Sequence, residues 1–377
     1  MAKQILGIDI GYDTLKLALV QGKRVRKTAV APMPKRLLRD GRVASPEAMG
    51  ELIRNTMKEN GIRCSQAALA FSPEAVFVRN VTVPVMSADQ LSYNLPYEFR
   101  DYITDDLKNY IFDYAMLEVP TEQKAQKANA KAPKKQDAAK KKKQNALEAF
   151  TEEESAVTDI AAPQDLSVSS EEATMEMLAV SAPVSLMDES RVLLRHAGLK
   201  LAKAAPVICS YVGLIQNMDD ADRPETGEYC FLDLGYNAIR MYMFKGTRHE
   251  VTRALEYGLS RVETAIADAY NVDVHLAHTY LQTNYEDCQS KEVCMNVFNN
   301  IAVELIRVLN FYRFSNPDSN LSDVWLCGGG AGIEPLRQAI ADGLESMRLH
   351  STDELISDKK PIEQSYSMVQ AIGIAQY

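Results

Sequence analysis

The chain has 377 residues, 46% of them apolar, and a formal charge of −9. That length predicts about two domains with full cores, and the acidic balance excludes a general nucleic-acid binder. The most apolar stretch, residues 177–187, is too short to span a bilayer and carries Ser and Pro beside Glu176, while Lys3 leads into a strand without an apolar leader core. A cytoplasmic protein is expected.

Near the amino terminus, Gly7-Ile8-Asp9-Ile10-Gly11 ends an apolar strand in an Asp-apolar-Gly step. Tyr12, Asp13 and Thr14 then turn, and alternation resumes at Leu15, Leu17 and Leu19 around Lys16, which predicts a strand-turn-strand hairpin. Pro46 opens a helix over Ser45–Asn60, strands are expected at Gln66–Phe71 and Val76–Val83, and Ser87 caps a helix over Ala88–Tyr102. Leu91, Leu95, Phe99 and Tyr102 share one face of that helix. A strand over Tyr110–Glu118 follows.

Residues 121–172 change character. They are poor in aromatics, basic at Lys134, Lys135 and Lys140 to Lys143, and acidic at Glu152 to Glu154, Glu171 and Glu172. Such a composition buries too little surface to offset its ordering entropy and predicts a disordered insertion. Its lysine run reads as a solvated linker or, more sharply, as a contact for anionic lipid or an acidic partner.

Regular structure resumes with a strand at Met175–Ala182, a helix at Val184–His196 closed by Gly198, and a helix at Pro206–Asn217. The polar turn Asp219–Thr226 marks a boundary. Then the first motif returns as Phe231-Leu232-Asp233-Leu234-Gly235-Tyr236-Asn237-Ala238-Ile239-Arg240, followed by a strand near Glu250–Leu255. Helices are expected at Ser260–Tyr270, Asp273–Asp287 and Val293–Phe314. Finally, Val324–Cys327 runs into Gly328-Gly329-Gly330-Ala331-Gly332, with one helix from Ile333 and a closing helix at Ser367–Tyr377.

A duplicated hairpin predicts two like domains facing each other. Glycine leaves backbone N–H groups free to approach phosphate, and Asp9 and Asp233, one from each side, suit Mg²⁺ held through water. Taken singly, each Asp is equally a turn former that caps its own backbone. The glycine run before a helix lets a flat ligand or a phosphate approach closely, although a tight turn alone has the same requirement. Six cysteines, Cys64, Cys209, Cys230, Cys288, Cys294 and Cys327, form no Cys-x-x-Cys and read as buried thiols. His275 and His278 lie upstream of Cys288 and Cys294, but the two cysteines would not share a helix face, which disfavours zinc.

Hairpin, second hairpin and glycine-rich turn, in that order, resemble the actin-like ATPase superfamily. Within it the chain resembles the PilM family of type IV pilus assembly, relatives of the cell-division family FtsA. Further residues carrying the likeness are Val83-Pro84, Glu98, Tyr102-Ile103, Phe112-Asp113-Tyr114, Met177 to Pro183, Ala197-Gly198-Leu199 and Thr252-Arg253 leading to Gly258. The resemblance implies an α/β actin-like (ribonuclease H-like) fold with duplicated halves and a small inserted α+β subdomain. The corresponding division is 1–83 and 202–222 for the first half, 84–201 for the insert with its linker at 121–172, and 223–377 for the second half.

It further implies ATP or ADP with Mg²⁺ in the cleft, contacted by Asp9, Gly11, Tyr12, Asp13, Thr14 and Lys16. On the other side stand Asp233, Gly235, Tyr236, Asn237 and Gly258, with Gly328, Gly329, Gly330 and Ala331 at the adenosine. Glu98 falls where related ATPases orient the attacking water, although a helical Glu also reads as a surface charge. The implied partner is the cytosolic N-terminal peptide of a PilN-like inner-membrane protein. That peptide would recruit the chain to the inner face of the membrane and connect it to the pilus motor ATPases.

Several residues depart from the family pattern. Tyr12 and Tyr236 stand where small residues are usual and would crowd a phosphate, and Asp13 would repel one. Ile239 replaces a hydroxyl residue, and Ala277-His278-Thr279-Tyr280-Leu281 lacks both the acid and the base of a pattern that commonly contacts nucleotide. The expectation is therefore an adaptor with a weakened or lost nucleotide site and at most slow hydrolysis. The alternatives are an active actin-fold ATPase or a sugar- or acid-kinase-like phosphotransferase, or an FtsA-like filament protein.

Overall fold

The computed structural model describes residues 3–39, 41–117, 174–356 and 362–377. The expected disordered insertion at 121–172 lies outside the described residues.

Strands β1 (Gln4–Ile10) and β2 (Thr14–Gln21) form the predicted antiparallel hairpin, with Asp9 directly opposite Lys16. β3 (Arg24–Pro32) extends the meander, a strand the sequence reading did not expect because its solvent side is a run of Arg and Lys. After the short pair β4 (Leu38–Arg39) and β5 (Arg42–Val43) comes α1 (Pro46–Glu59). The Ser45 hydroxyl accepts from the Ala48 N–H at 3.3 Å, and Pro46 sits where no donor is needed. β6 (Gln66–Phe71) then lies parallel to β1.

β7 (Phe77–Pro84) leads to α2 (Ala88–Asn94), which opens in a capping box: Ser87 and Gln90 exchange hydrogen bonds of 2.9 and 3.3 Å. The helix expected to reach Tyr102 ends at Asn94, since Pro96 has no N–H to continue the ladder, and Leu95–Phe99 continues as 3₁₀ turns. α2 and those turns still deliver Leu91, Leu95 and Phe99 to a small core with Val81, Val83 and Met177. β8 (Tyr110–Met116) and β9 (Thr174–Pro183) complete a sheet in the order β7-β9-β8. α3 (Val184–His196) returns to pack on α1, placing Leu193 and Leu194 in the core beneath the first sheet. β10 (Lys200–Pro206) adds beside β6; the sequence reading missed it because its lysines and alanines carry little strand preference.

α4 (Val207–Asn217) precedes the second half, where β11 (Glu228–Leu234) and β12 (Ile239–Lys245) repeat the hairpin with Asp233 opposite Arg240. β13 (Arg248–Leu255), α5 (Leu259–Tyr270) and α6 (Val274–Thr283) follow. The helix expected to reach Asp287 stops at Thr283, because Asn284 adopts the left-handed conformation at φ 50° and closes it. The remaining elements are α7 (Glu292–Ser315), β14 (Asp323–Cys327), α8 (Glu334–Gly343), β15 (Arg348–His350) and α9 (Ser365–Gln376).

The two large sheets have one topology. Their orders, β3-β2-β1-β6-β10 and β13-β12-β11-β14-β15, match strand for strand, with the two parallel additions in the same places. α4 and α9 lie between the sheets in an aromatic core with Phe231, Tyr242 and Trp325, in which Tyr211 stacks on Phe231 at 4.6 Å. Close approach there requires glycine: a Cβ on Gly7 would meet the Ala371 carbonyl at 1.7 Å, and one on Gly373 the Ser210 carbonyl at 2.1 Å. The halves therefore join through two tightly seated helices, and the hairpin turns face each other across the cleft above them.

Candidate functional site

In the first hairpin turn the Gly11 N–H donates to the Thr14 carbonyl at 3.1 Å, and the Asp13 carbonyl accepts from the Met33 N–H at 2.8 Å. The register that places Asp9 opposite Lys16 brings the ammonium to 3.0 Å from the carboxylate, both side chains nearly buried. Burial alone would lower the Lys16 pKa, but Asp9, Asp233 and Asp13 together hold it above its usual value. Lys16 thus stands in the cleft as a fixed cation already committed to Asp9.

The second turn is anchored to a helix instead. The Leu259 and Ser260 N–H groups at the start of α5 donate to the Gly235 and Tyr236 carbonyls at 3.1 and 2.9 Å. A Cβ at Gly258 would strike those same two carbonyls at 2.3 and 2.5 Å, so glycine is required there for packing. Asp233 is buried, and desolvation raises its pKa, partly offset by Lys16 and Arg240. Gln370 on α9 donates to Asp233 at 2.8 Å and to the Tyr211 hydroxyl at 3.1 Å. Gly328, at φ 84°, passes so close that a Cβ would lie 2.3 Å from Asp233 Oδ1.

The structure brings Asp9, Gly11, Tyr12, Asp13, Thr14, Lys16, Asp233, Gly235, Tyr236, Asn237, Gly328 and Gly329 to the wall of one cleft. Gly258, Gly330 and Ala331 stand behind that wall. Glu98 is not among the lining residues; it sits in the 3₁₀ turns of the insert, where the Arg79 guanidinium donates to its carbonyl. Tyr236 turns its hydroxyl to Glu263 at 2.9 Å, and Tyr12 reaches toward Gly41. His278 is taken up by Glu263 at 2.7 Å, and Cys288 donates to the Tyr280 carbonyl. Among the described residues no group of three His, Cys, Asp or Glu side chains is placed to hold a metal.

Sequence reading missed Glu74, Arg240, Glu263 and Gln370. Arg240 was findable, since aligning the two hairpins places it at the position of Lys16. It pairs with Glu74 of the first half across the cleft. Glu263 and Gln370 come from distant helices and left no local signal.

The lining carries five carboxylates, Asp9, Asp13, Glu74, Asp233 and Glu263, against two cations, Lys16 and Arg240. A phosphate fits only if it draws Lys16 away from Asp9. A divalent ion shared by Asp9 and Asp233 does not fit the arrangement as it stands, because Lys16 closes one carboxylate and Gln370 the other.

The sequence profile of the family described as type IV pilus assembly protein PilM matches residues 7–162 and 210–350. No curated protein matches the chain by sequence. Among solved structures, a PilM-PilN type IV pilus biogenesis complex superposes with a TM-score of 0.72 at 21% identity, covering 98% of this chain and 97% of that one. The ethanolamine utilization protein EutJ from Carboxydothermus hydrogenoformans superposes at 0.53 and 12% identity, covering 98% and 88%. The fold is that of the actin-like ATPases, and the chain belongs to the PilM family of type IV pilus assembly proteins.

Proposed function

We propose that the chain is an adaptor of type IV pilus assembly that captures the N-terminal cytosolic peptide of a PilN-like inner-membrane protein and is thereby recruited to the inner face of the membrane. Family membership carries this reading, supported by the likeness to a PilM that is in complex with PilN. Among the described residues no helix is long and apolar enough to cross a membrane, which fits attachment through a partner. The apolar groove where the insert rejoins the first half, lined by Leu69, Phe71, Ala75, Pro183, Leu186 and Leu193, suits an extended peptide with aliphatic anchors. Pilus motor ATPases would be reached through the assembled complex.

In this reading the cleft holds ATP or ADP weakly and turns it over negligibly. Its excess of carboxylates opposes a polyphosphate, Lys16 must leave Asp9 to contact one, and Glu98 lies outside the lining. Nucleotide, when bound, would set the angle between the halves rather than undergo chemistry. Titration calorimetry with a PilN-like N-terminal peptide tests the adaptor role. Micromolar binding lost in Leu186→Glu is expected, whereas no binding together with hydrolysis on the order of 1 s⁻¹ would replace the adaptor with an enzyme.

A further inference from the structure

Helix α7 turns Phe298, Ile301, Leu305 and Leu309 into the core of the second half, so its outer stripe is expected to be polar. Asn296, Asn299 and Asn300 keep to that rule. Val303, Phe311 and Phe314, at i, i+8 and i+11 on the same stripe, do not, and are 45%, 57% and 87% exposed. A single exposed apolar residue is ordinary, but two phenylalanines one turn apart at one helix end form a patch. Arg253 of the edge strand β13 lies over the Phe311 ring at 5.6 Å, and Arg313, next to Phe314, reaches only the Ser346 hydroxyl and the Met347 sulfur. Neither arginine has a carboxylate partner among the described residues.

We propose that this end of α7 is a lipid-facing patch: Phe311 and Phe314 enter the headgroup layer of an anionic bilayer while Arg253 and Arg313 meet its phosphates. Where the patch acts rests on the reading that a peptide partner recruits the chain to the membrane. Charge decides the occupant. A chain of formal charge −9 is repelled by an anionic surface as a whole and approaches one only through a face whose cations are free. The end of α7 is such a face, since from Asn296 to Ser315 the helix holds one carboxylate, Glu304, and Arg307 pairs with it. Phe314 also stands almost wholly clear of its neighbours, as suits a ring that enters a soft layer between headgroups beside a guanidinium. Two rings and two arginines make a weak contact alone. Once a bound peptide holds the chain near the bilayer, that contact becomes intramolecular in effect and fixes which face of the second half turns toward lipid.

Co-sedimentation of the full chain with phosphatidylglycerol vesicles and with phosphatidylcholine vesicles, at low salt and without peptide, tests the patch. The affinity for phosphatidylglycerol is expected to be about tenfold higher, a preference that roughly 1 M salt removes. Phe311→Ser combined with Phe314→Ser, at two exposed positions where folding does not depend on the ring, should lower the affinity for phosphatidylglycerol about tenfold, and Arg253→Gln about fivefold. Equal binding to the two lipids, or binding that survives the double phenylalanine variant, overturns the lipid assignment. Binding that is lost instead when Lys140 to Lys143 are changed to glutamine moves the contact to the lysine run and overturns it too. Self-association of the wild-type chain that the phenylalanine variant abolishes, without a lipid preference, makes the patch a protein interface and is equally fatal. Because no peptide is present, failure here leaves the adaptor role standing, and failure of peptide capture leaves the patch.

Discussion

The two hairpins share a backbone and differ in what holds them. In both, an Asp faces a cation across the same register, Asp9 with Lys16 and Asp233 with Arg240. In the first turn Lys16 pairs with Asp9 while Asp13 adds a second carboxylate, and the tip faces the cleft. The second is locked from behind: α5 donates to its turn carbonyls, Gln370 holds Asp233, and Arg240 leaves for Glu74 in the other half. Duplication therefore preserved geometry while dividing the work, with charge concentrated in one hairpin and packing in the other. Variants at equivalent positions should separate accordingly.

The largest contrast is expected at glycine. Gly258→Ala forces a Cβ against two backbone carbonyls at 2.3 and 2.5 Å that the start of α5 holds in place. A loss of about 3 kcal/mol or more in urea unfolding should result. Gly11→Ala meets first the Lys16 ammonium at 2.7 Å, the far end of a flexible chain, and only then the Thr14 carbonyl at 3.0 Å. A loss of about 1 kcal/mol is expected there, with the larger consequence falling on anything that Lys16 contacts. Equal losses at the two sites would mean that the two turns are held alike.

The carboxylates should separate next. Asp9→Ala leaves Lys16 buried without its partner and should cost about 3 kcal/mol. Combining Asp9→Asn with Lys16→Met, which removes both charges, should recover most of that loss. Asp233 behaves in the opposite sense. Its pKa is raised above 3.8 by burial, so the folded state holds the proton more tightly, and the resulting stability, full below 3.8, is lost as pH rises through the folded value. Asp233→Asn should therefore leave stability at pH 7 unchanged or higher, within about 1 kcal/mol. Denaturant midpoints of the single and double variants at pH 7 decide both statements.

The duplicated architecture was legible because its carriers are local: alternation around Asp-x-Gly fixed both hairpins, and the Ser87 and Pro46 signals fixed helix starts. What was missed had no local carrier. β3 and β10 exist because a neighbouring strand offers an edge, which overrides their own basic composition. Gln370 reaches Asp233 from the last helix, and Glu263 meets His278 from the next helix over. Pairings across such distances are properties of packing, and no spacing rule in the chain announces them. Pro96 and Asn284, by contrast, are local signals, a missing N–H and a left-handed helix stop.

Acid sensitivity should belong to the second half. His249 on its edge strand β13 is kept neutral by burial, which lowers its pKa from 6.5 to about 4, and its ring packs edge-on against Phe244 at 5.4 Å. Between those two pH values the unfolded chain binds the proton and the folded chain does not, so the contribution is full above pH 6.5 and is lost as pH falls toward 4. The matching edge strand β3 carries no histidine. His249→Gln should flatten stability across that window by at most about 3 kcal/mol, leaving the neutral-pH value less affected. An acid step that persists in the variant would place the sensitive group elsewhere.

The smallest contrast lies in the paired tyrosines. Tyr236 donates to a buried Glu263 oxygen, so Tyr236→Phe removes one of two partners from a carboxylate that water reaches poorly. A loss of about 1 kcal/mol is expected. Tyr12 stands half-buried at the lip of the first turn, and Tyr12→Phe should change stability by less than about 0.5 kcal/mol. Binding should reverse the order. Tyr12→Ser widens the turn without disturbing Glu263 and should tighten ATP affinity if the ring crowds the phosphates, whereas Tyr236→Phe frees Glu263 to rotate and should weaken it. Tighter binding in Tyr236→Phe, or none of these shifts in either variant, would mean that the two hairpins do not divide charge and packing between them at the tip, and that the asymmetry stops at the Asp pair.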